Sequence, residues 1–441
     1  MSVAARDRTA VAKSVGSAGL QVFRVRVVVE FLVAGSGIFV TRGLGPHDKG
    51  LFLDVWLVLW TVLRFTAGDV SVAWLWGKQR SDQRDVFGAG LMFGAGVYMV
   101  AAIGLACAAL AIPGQRILWA VIVALPFAII AQFASGFFMT EQRVGLVNAQ
   151  DALTRVGVGM GAAIAVYLFH DRLLAVLVVF AGDHVILGLF SIVALLMGAR
   201  LLPLRTTWLT VKEYSGFAIQ AGGQQALAFL NHRVDVVMVA FLLGPLALGI
   251  YSVALAINEL LWLFARVMGI AAFSKITTGG FKESAELTAR CVRHGLIVSA
   301  VGGLAAGLAA SLVPFVYGGA FERSILPLRI LLPGVVAWSS IEILTIFFTT
   351  QCGRPMIMTI VQGLSASICA LVIVLFAHSL GLIAAAIGAS LGYLVAGSVA
   401  VVMFSRVSGL SVARVLLPTR QDLNDYLKLV VRVRTSLPSS P

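Results

Sequence analysis

The sequence predicts an all-α integral membrane protein of about twelve transmembrane helices, arranged as two parallel six-helix repeats with both termini cytoplasmic. Three observations carry this expectation. The chain holds more apolar residues than a soluble fold of its length could bury, its basic residues segregate to alternate helix ends, and a Leu-Gly-Pro turn occurs twice.

Of the 441 residues, 59% are hydrophobic and only 12% are charged, whereas soluble domains carry roughly 25% charged residues. A crossing of the hydrocarbon core needs about 20 apolar residues. The hydrophobic share of the chain, about 260 residues, is enough for roughly 12 such helices. Runs such as ILWAVIVALPFAIIAQFASGFF are apolar on every face. Outer-membrane strands would instead alternate over ~10-residue segments. The 45 glycines suit helices packed closely in lipid.

Charged or turn-rich breaks place the spans at 17–42, 49–76, 85–111, 116–139, 144–169, 172–199, 213–243, 246–274, 288–316, 323–350, 355–377 and 380–405. The expected organisation is an N-terminal lobe over 1–199, a C-terminal lobe over 200–406 and a cytoplasmic tail over 407–441. The first 19 residues are polar and basic, and no cleavage site follows the first apolar run, which reads as a retained anchor. With the N-terminus inside, 21 Lys and Arg fall on the cytoplasmic ends and five on the opposite ends, as the positive-inside rule requires. The net charge of +13 is mostly this topological signal and calls for no nucleic-acid partner. In the tail, Leu423, Tyr426, Leu427 and Val430 share one helical face near Lys428, Arg432 and Arg434. Such a segment suits an anionic leaflet, with a frayed basic tail as the alternative.

The repeated turn is LGPHDKGLF at 44–52 and LGPLALGIY at 243–251, with Gly45 and Gly244 separated by 199 residues. Both fall six crossings apart at outer helix connections, so the two halves have the same orientation. Gly and Pro are common at helix exits by chance, but the matching position in both halves favours true repetition. Parallel repeats are a transporter architecture with the substrate site between halves.

Seven arginines fall inside the spans: Arg24, Arg26, Arg64, Arg155, Arg233, Arg266 and Arg329. Each would cost at least ~2.5–3.5 kcal/mol at a lipid-facing helix centre, so most must face an interior. Moving Arg24 and Arg26 outside would leave residues 27–41 to span the bilayer at roughly 22 Å, which is too short. Some charges can neutralise one another on one face, as in Arg26 with Glu30, Asp151 with Arg155, and Glu259 with Arg266. Arg64 and Asp69 are poorly aligned, and Arg233 and Asp235 point to different faces, so their partners lie elsewhere. The expected result is a hydrated, largely cationic cavity built from Arg24, Arg26, Arg64, Arg155, Arg233 and Arg266. Such a cavity suits a pyrophosphate or an acidic sugar. Glu30, Asp69, Asp151, Asp235, Glu259 and Glu342 are the candidates for ion or proton coupling, or for charge pairing.

Enzyme constellations are missing. No Gly-x-x-x-x-Gly-Lys-Ser/Thr loop occurs, which excludes ATP hydrolysis on this chain. The six histidines and four cysteines are scattered without metal-ligand spacing, so no catalytic, metal or cofactor site is expected.

The segments VTRGLGPHDKGLF and TAGDVSVAWL resemble the opening of the polysaccharide-transporter branch of the multidrug/oligosaccharidyl-lipid/polysaccharide (MOP) exporter superfamily, the Wzx-type flippases. NHRVDVVMVAFLLGPLALGIYSVALAINELLW, LVPFVYGGAFERSILPLRILLPGV, GRPMIMTIVQ and GLIAAAIGASLGYL are similar to later parts of the same pattern. The likeness runs from about residue 20 to 405. It implies a MATE-like fold of two six-helix lobes, alternating access, and an oligosaccharide on undecaprenyl pyrophosphate as substrate. Arg42, Gly45, Pro46, Gly50, Asp69, Asn231, Arg233, Asp235, Gly244, Pro245, Gly249 and Tyr251 match the branch pattern. Asp69, Arg233 and Asp235 are its functional candidates. Arg24, Arg26 and Glu30 match no such motif and rest on the charge argument alone. Related lipid II flippases usually carry two further C-terminal helices, where this chain has a tail.

The resulting expectation is a flippase for surface polysaccharide biosynthesis in the bacterial plasma membrane. Its implied partners are the lipid-linked oligosaccharide, membrane lipids and the polymerase or chain-length proteins. A drug or cation antiporter of the same superfamily and a non-transporting partner of glycosyltransferases are the rivals. A membrane polymerase or ligase would need a large outer loop, and the connections here are only a few residues long.

Overall fold

The structure is a computed structural model, and it describes residues 3–79, 83–112, 114–141, 143–198 and 206–419. Side chains before Val29 lie outside this description, and so does the amphipathic face expected at 423–430. The described residues are nearly all helical, with no strands. In chain order the helices are α1 (Val3–Thr66), α2 (Gly68–Gln79), α3 (Gln83–Ala111), α4 (Leu118–Thr140), α5 (Val144–Ala152), α6 (Val158–Leu168) and α7 (Arg172–Gly198). They continue as α8 (Trp208–His232), α9 (Val234–Thr278), α10 (Phe281–Ala309), α11 (Val313–Tyr317), α12 (Ile325–Ile346), α13 (Pro355–Leu380), α14 (Leu382–Ser408) and α15 (Val412–Leu416).

Ten segments among the described residues are long and apolar enough to cross a membrane. The count differs from the expected twelve for two reasons. One segment, Val29–Val72, has 44 residues, about 66 Å of helix where about 30 Å spans the hydrocarbon. It is folded at Gly45 and so contains both of the first two expected spans. The other reason is α8, which has 25 residues but carries Lys212, Glu213, Gln220, Gln224, Gln225 and Asn231.

The repeated turn has the same backbone in both places. Gly45 sits at φ 74, ψ 173 and Gly244 at φ 80, ψ 179, each the single non-helical residue inside a long helix. A side chain is strained in that region, so glycine is required there. Pro46 and Pro245 follow, and a first helical residue loses nothing by lacking an N–H. The equivalence 45 to 244 therefore holds in geometry as well as in sequence.

Two expected spans are broken about two thirds of the way along. The span at 49–76 is interrupted at Ala67, a fully buried residue at φ 40 that separates α1 from α2. The span at 213–243 is interrupted at Arg233, the one residue between α8 and α9. A short π-helical turn, Leu153–Gly157, joins α5 to α6 within a third.

The described residues fall into two compact units divided between Leu230 and Asn231. The linker at 199/200 expected as the lobe boundary is not where this division lies, because α8 packs with the helices before it. Tyr214 is fully buried against Phe93 and Phe133, with ring centroids 5.9 and 6.2 Å away. Gly222 lies so close to α1 that an added Cβ would stand 2.2 Å from the Phe65 carbonyl oxygen. The first unit is centred on α4, whose Ala124, Leu125, Phe133, Ala134 and Phe137 are buried. In the second, α12 and α14 meet through small residues. Gly334 and Ser390 pack directly, with the Ser390 hydroxyl 3.2 Å from the Gly334 amide.

Replacing Gly45 or Gly244 by Ala should each destabilise the purified protein by about 1–3 kcal/mol, the cost of forcing a side chain into that backbone region. Thermal unfolding would read this as a lowered melting temperature. Gly35→Ala, in open space within a regular stretch of α1, should leave it unchanged or slightly raised.

Candidate functional site

In the first unit α1, α5, α6 and α7 bring several intramembrane charges together. Arg155 lies in the π-helical turn. Its Nη2 donates to Glu30 Oε2 at 2.7 Å, and its Nη1 stands 3.9 Å from Asp151 Oδ2. Asp151 with Arg155 is the expected pair, though long. Glu30 is bonded to Arg155 because α1 packs along α6 and the π-helical turn before it, and its expected pairing with Arg26 falls on a side chain outside the described residues. The side chains of Arg24 and Arg26 lie outside the described residues.

Next to this cluster is Asp183 on α7, which the sequence reading passed over. It is 7% exposed, and a Cβ on Gly157 would stand 2.1 Å from its Oδ1. Among the described residues its Oδ2 has no hydrogen-bond partner. The signal was present in the sequence as a lone carboxylate in the middle of an apolar helix. His184 beside it is buried, with Nδ1 2.7 Å from the Phe180 carbonyl.

The break at Ala67 organises a second polar group. The Thr66 hydroxyl donates to Gln132 Oε1, and Gln132 Nε2 donates to Asp69 Oδ1 at 3.4 Å. Asp69 sits in the first turn of α2, where the helix dipole favours a negative charge. Arg64, just before the break, takes no part in this network. Its guanidinium lies over Trp60 at 5.4 Å and over Phe229 at 5.7 Å.

In the second unit Arg233 donates to Glu259 Oε1 at 2.5 Å. Glu259 was expected to pair with Arg266, two turns along the same helix. The folded-back limb of α9 brings Arg233 to it instead, and Arg266 is left exposed. Asp235 is 2% exposed and accepts a hydrogen bond from the Tyr251 hydroxyl at 2.8 Å. This too bridges the two limbs of α9 across the Gly244 turn. Asn231, His232, Asp235, Gln362, Ser365 and Tyr393 line a narrow cleft of about 10 Å³, room for about one water. The rings of Trp338 and Tyr393, 4.7 Å apart, close one side, and Trp262 packs on them at 6.0 and 5.8 Å. Glu342, the remaining candidate acid, accepts from the Trp338 indole at 3.2 Å.

The geometry sorts the candidates. Arg155 and Arg233 are each neutralised by a carboxylate within their own unit. Arg64 and Arg266 have no carboxylate partner among the described residues. They stand at nearly the same place in each half, 19 residues after Gly45 and 22 after Gly244.

No protein-family profile and no curated protein matches the sequence. Solved structures do resemble it. An inward closed conformation of the lipid II flippase MurJ superposes with a TM-score of 0.75 at 11% identity, covering 96% of this chain and 94% of that one. An inward-facing multidrug resistance MATE transporter of the MOP superfamily gives 0.66 at 16% identity over 87% and 94%. A MOP superfamily transporter from Pyrococcus furiosus gives 0.54 at 15% identity over 88% and 93%. The chain therefore has the fold of the MOP-superfamily transporters.

Replacing Arg155 by Met strands Glu30 and Asp151, and should destabilise the purified protein by about 1–3 kcal/mol, less than a fully buried pair because the site is partly exposed. Adding Glu30→Gln should recover part of that loss. A melting temperature indifferent to Arg155→Met would mean the arginine is not a structural partner and would return it to the substrate candidates.

Proposed function

We propose that the protein is a flippase that moves an undecaprenyl-pyrophosphate-linked oligosaccharide from the cytoplasmic to the outer leaflet by alternating access. It serves surface polysaccharide biosynthesis in the bacterial plasma membrane, with both termini cytoplasmic. The observation that carries this reading is the pair of uncompensated arginines, Arg64 and Arg266, on the second helix of each half of a MOP-superfamily fold. A glycan with a pyrophosphate cannot enter hydrocarbon unaided, since each unsatisfied polar group costs several kcal/mol. Arginine offers the phosphate a geometrically matched, permanently charged donor fork. The MurJ likeness supports a lipid-linked substrate, because that protein is described as a lipid II flippase.

Within this reading the acids divide by their neighbours. Glu30, Asp151 and Glu259 serve as charge partners of arginine. Asp69, Asp235 and Glu342 accept hydrogen bonds from neutral side chains and are left for ion or proton coupling. The MATE likeness favours the rival drug or cation antiporter. Against it stands the sign of the uncompensated charge, which suits an anion. Among the solved relatives, reversed polarity of the binding pocket in the Pyrococcus protein is said to suggest a different function.

Deleting the gene should leave the lipid-linked glycan on the cytoplasmic side, and Arg64→Ala or Arg266→Ala should cut its export about tenfold or more at normal protein levels. A normal distribution between leaflets after deletion would overturn the flippase. Heightened drug sensitivity with normal glycan would favour the antiporter, and absence of the glycan itself would favour a partner of glycosyltransferases or of the polymerase.

A further inference from the structure

Trp56, Trp60 and Arg64 recur every four residues along the limb of α1 after the Gly45 turn, which places them in one stripe. Phe229 of α8 reaches the same stripe, brought there by the contact of Gly222 with the Phe65 carbonyl. The rings form a continuous shelf, with Trp56 5.9 Å from Trp60 and 6.3 Å from Phe229, tilted 46° in both cases. Arg64 stands between Trp60 and Phe229.

Most other arginines that the structure describes inside the helices meet a partner that Arg64 lacks; Arg266 is likewise without a carboxylate, but it is exposed, whereas Arg64 is half-buried between rings. Arg155 and Arg233 meet carboxylates. Arg172, Arg293 and Arg329 donate to the carbonyls of Gly43, Arg414 and Gly307. Arg64 is half-buried, its Nε is fully buried without a hydrogen-bond partner, and only ring faces hold it. A cation over a ring is held by the charge alone. The planar donor fork of the guanidinium therefore stays unused, and a partly desolvated cation with unused donors gains most from an anion that fits the fork.

The fold does not require this arrangement. Across the 199-residue repeat, Trp56, Trp60 and Arg64 correspond to Leu255, Glu259 and Leu263, which carry neither ring nor cation, and the nearest arginine, Arg266, stands three residues further along.

We propose that Arg64, Trp56, Trp60 and Phe229 form a subsite for a phosphorylated sugar, in which the guanidinium takes the phosphate and the ring faces take the pyranose. The assignment rests on the glycan-lipid reading above and adds to it what recognises the first sugar. The C–H faces of a pyranose are apolar and pack on aromatic faces, while its phosphate lies in reach of an adjacent cation. Arg64 is 19 residues beyond Gly45, about 28 Å along the helix. With that turn on the outer side, as proposed, this is the level of the cytoplasmic headgroups, where the substrate is loaded.

The test uses the purified full-length chain in lipid nanodiscs and two probes, a prenyl pyrophosphate bearing one N-acetylglucosamine and the same prenyl pyrophosphate without the sugar. Calorimetry on the native chain should give about fivefold tighter binding of the glycosylated probe. Arg64→Gln should weaken both probes about tenfold. Trp60→Leu and the milder Trp56→Phe should erase the preference for the sugar while leaving the bare probe within about twofold. The subsite is overturned if the native chain does not distinguish the probes, or if the ring variants weaken both equally, in which case the rings only hold Arg64. It is also overturned if the variants bind as the native chain does. Failure of the native chain to bind either probe would overturn the glycan-lipid reading itself along with the subsite. A free sugar phosphate that competes as strongly as the glycosylated lipid would place the recognition in the headgroup alone, in keeping with the proposal.

Discussion

A charge inside a helical membrane bundle must find its counter-charge or its hydrogen-bond partner within reach of its own helix and its neighbours, because hydrocarbon offers neither. Much of the architecture follows from how this chain meets that demand. Arg155 is answered from α1 by Glu30, Arg233 from the far limb of α9 by Glu259, and Asp235 from the same limb by Tyr251. Each of these contacts also ties together helices that composition alone would leave free to slide. Arg64 and Arg266 meet no carboxylate among the described residues, and Arg64 is held by ring faces.

The internal repeat acts as a built-in control. Gly45 and Gly244 adopt the same backbone, which lets residues 199 apart be compared around the turn. Asp235 and Tyr251 correspond to Ser36 and Phe52, and Arg233 and Glu259 to Ala34 and Trp60. The same turn between helices is thus achieved with and without the buried polar bridge. The buried polar bridge is therefore not what makes the shared turn.

Helix periodicity, span lengths and the repeat were legible because they depend on local sequence. A run of apolar residues in lipid has little choice but to be helical, and Gly-Pro stops a helix wherever it occurs. The breaks at Ala67 and Arg233 were less visible. Ala67 has an ordinary helix former's side chain, and its positive φ is held by Gly68 and Gly136 packing closely against Phe133 and Asp69. Asp183 was overlooked since no partner four residues away marked it. Its neighbour, the backbone at Gly157, belongs to another helix.

By itself the sequence determined the all-helical membrane class, most of the apolar helices, and the glycine turn that recurs in the two halves. These follow from transfer free energies and backbone conformations that each segment carries with it. Only the tertiary structure decided which acid answers which arginine. It seated α8 against the first unit, and it separated the neutralised arginines from Arg64 and Arg266. Those outcomes turn on side-chain contacts a few ångströms long between helices distant in sequence, and i,i+4 spacing could not anticipate Glu30 reaching Arg155 or Glu259 turning to Arg233.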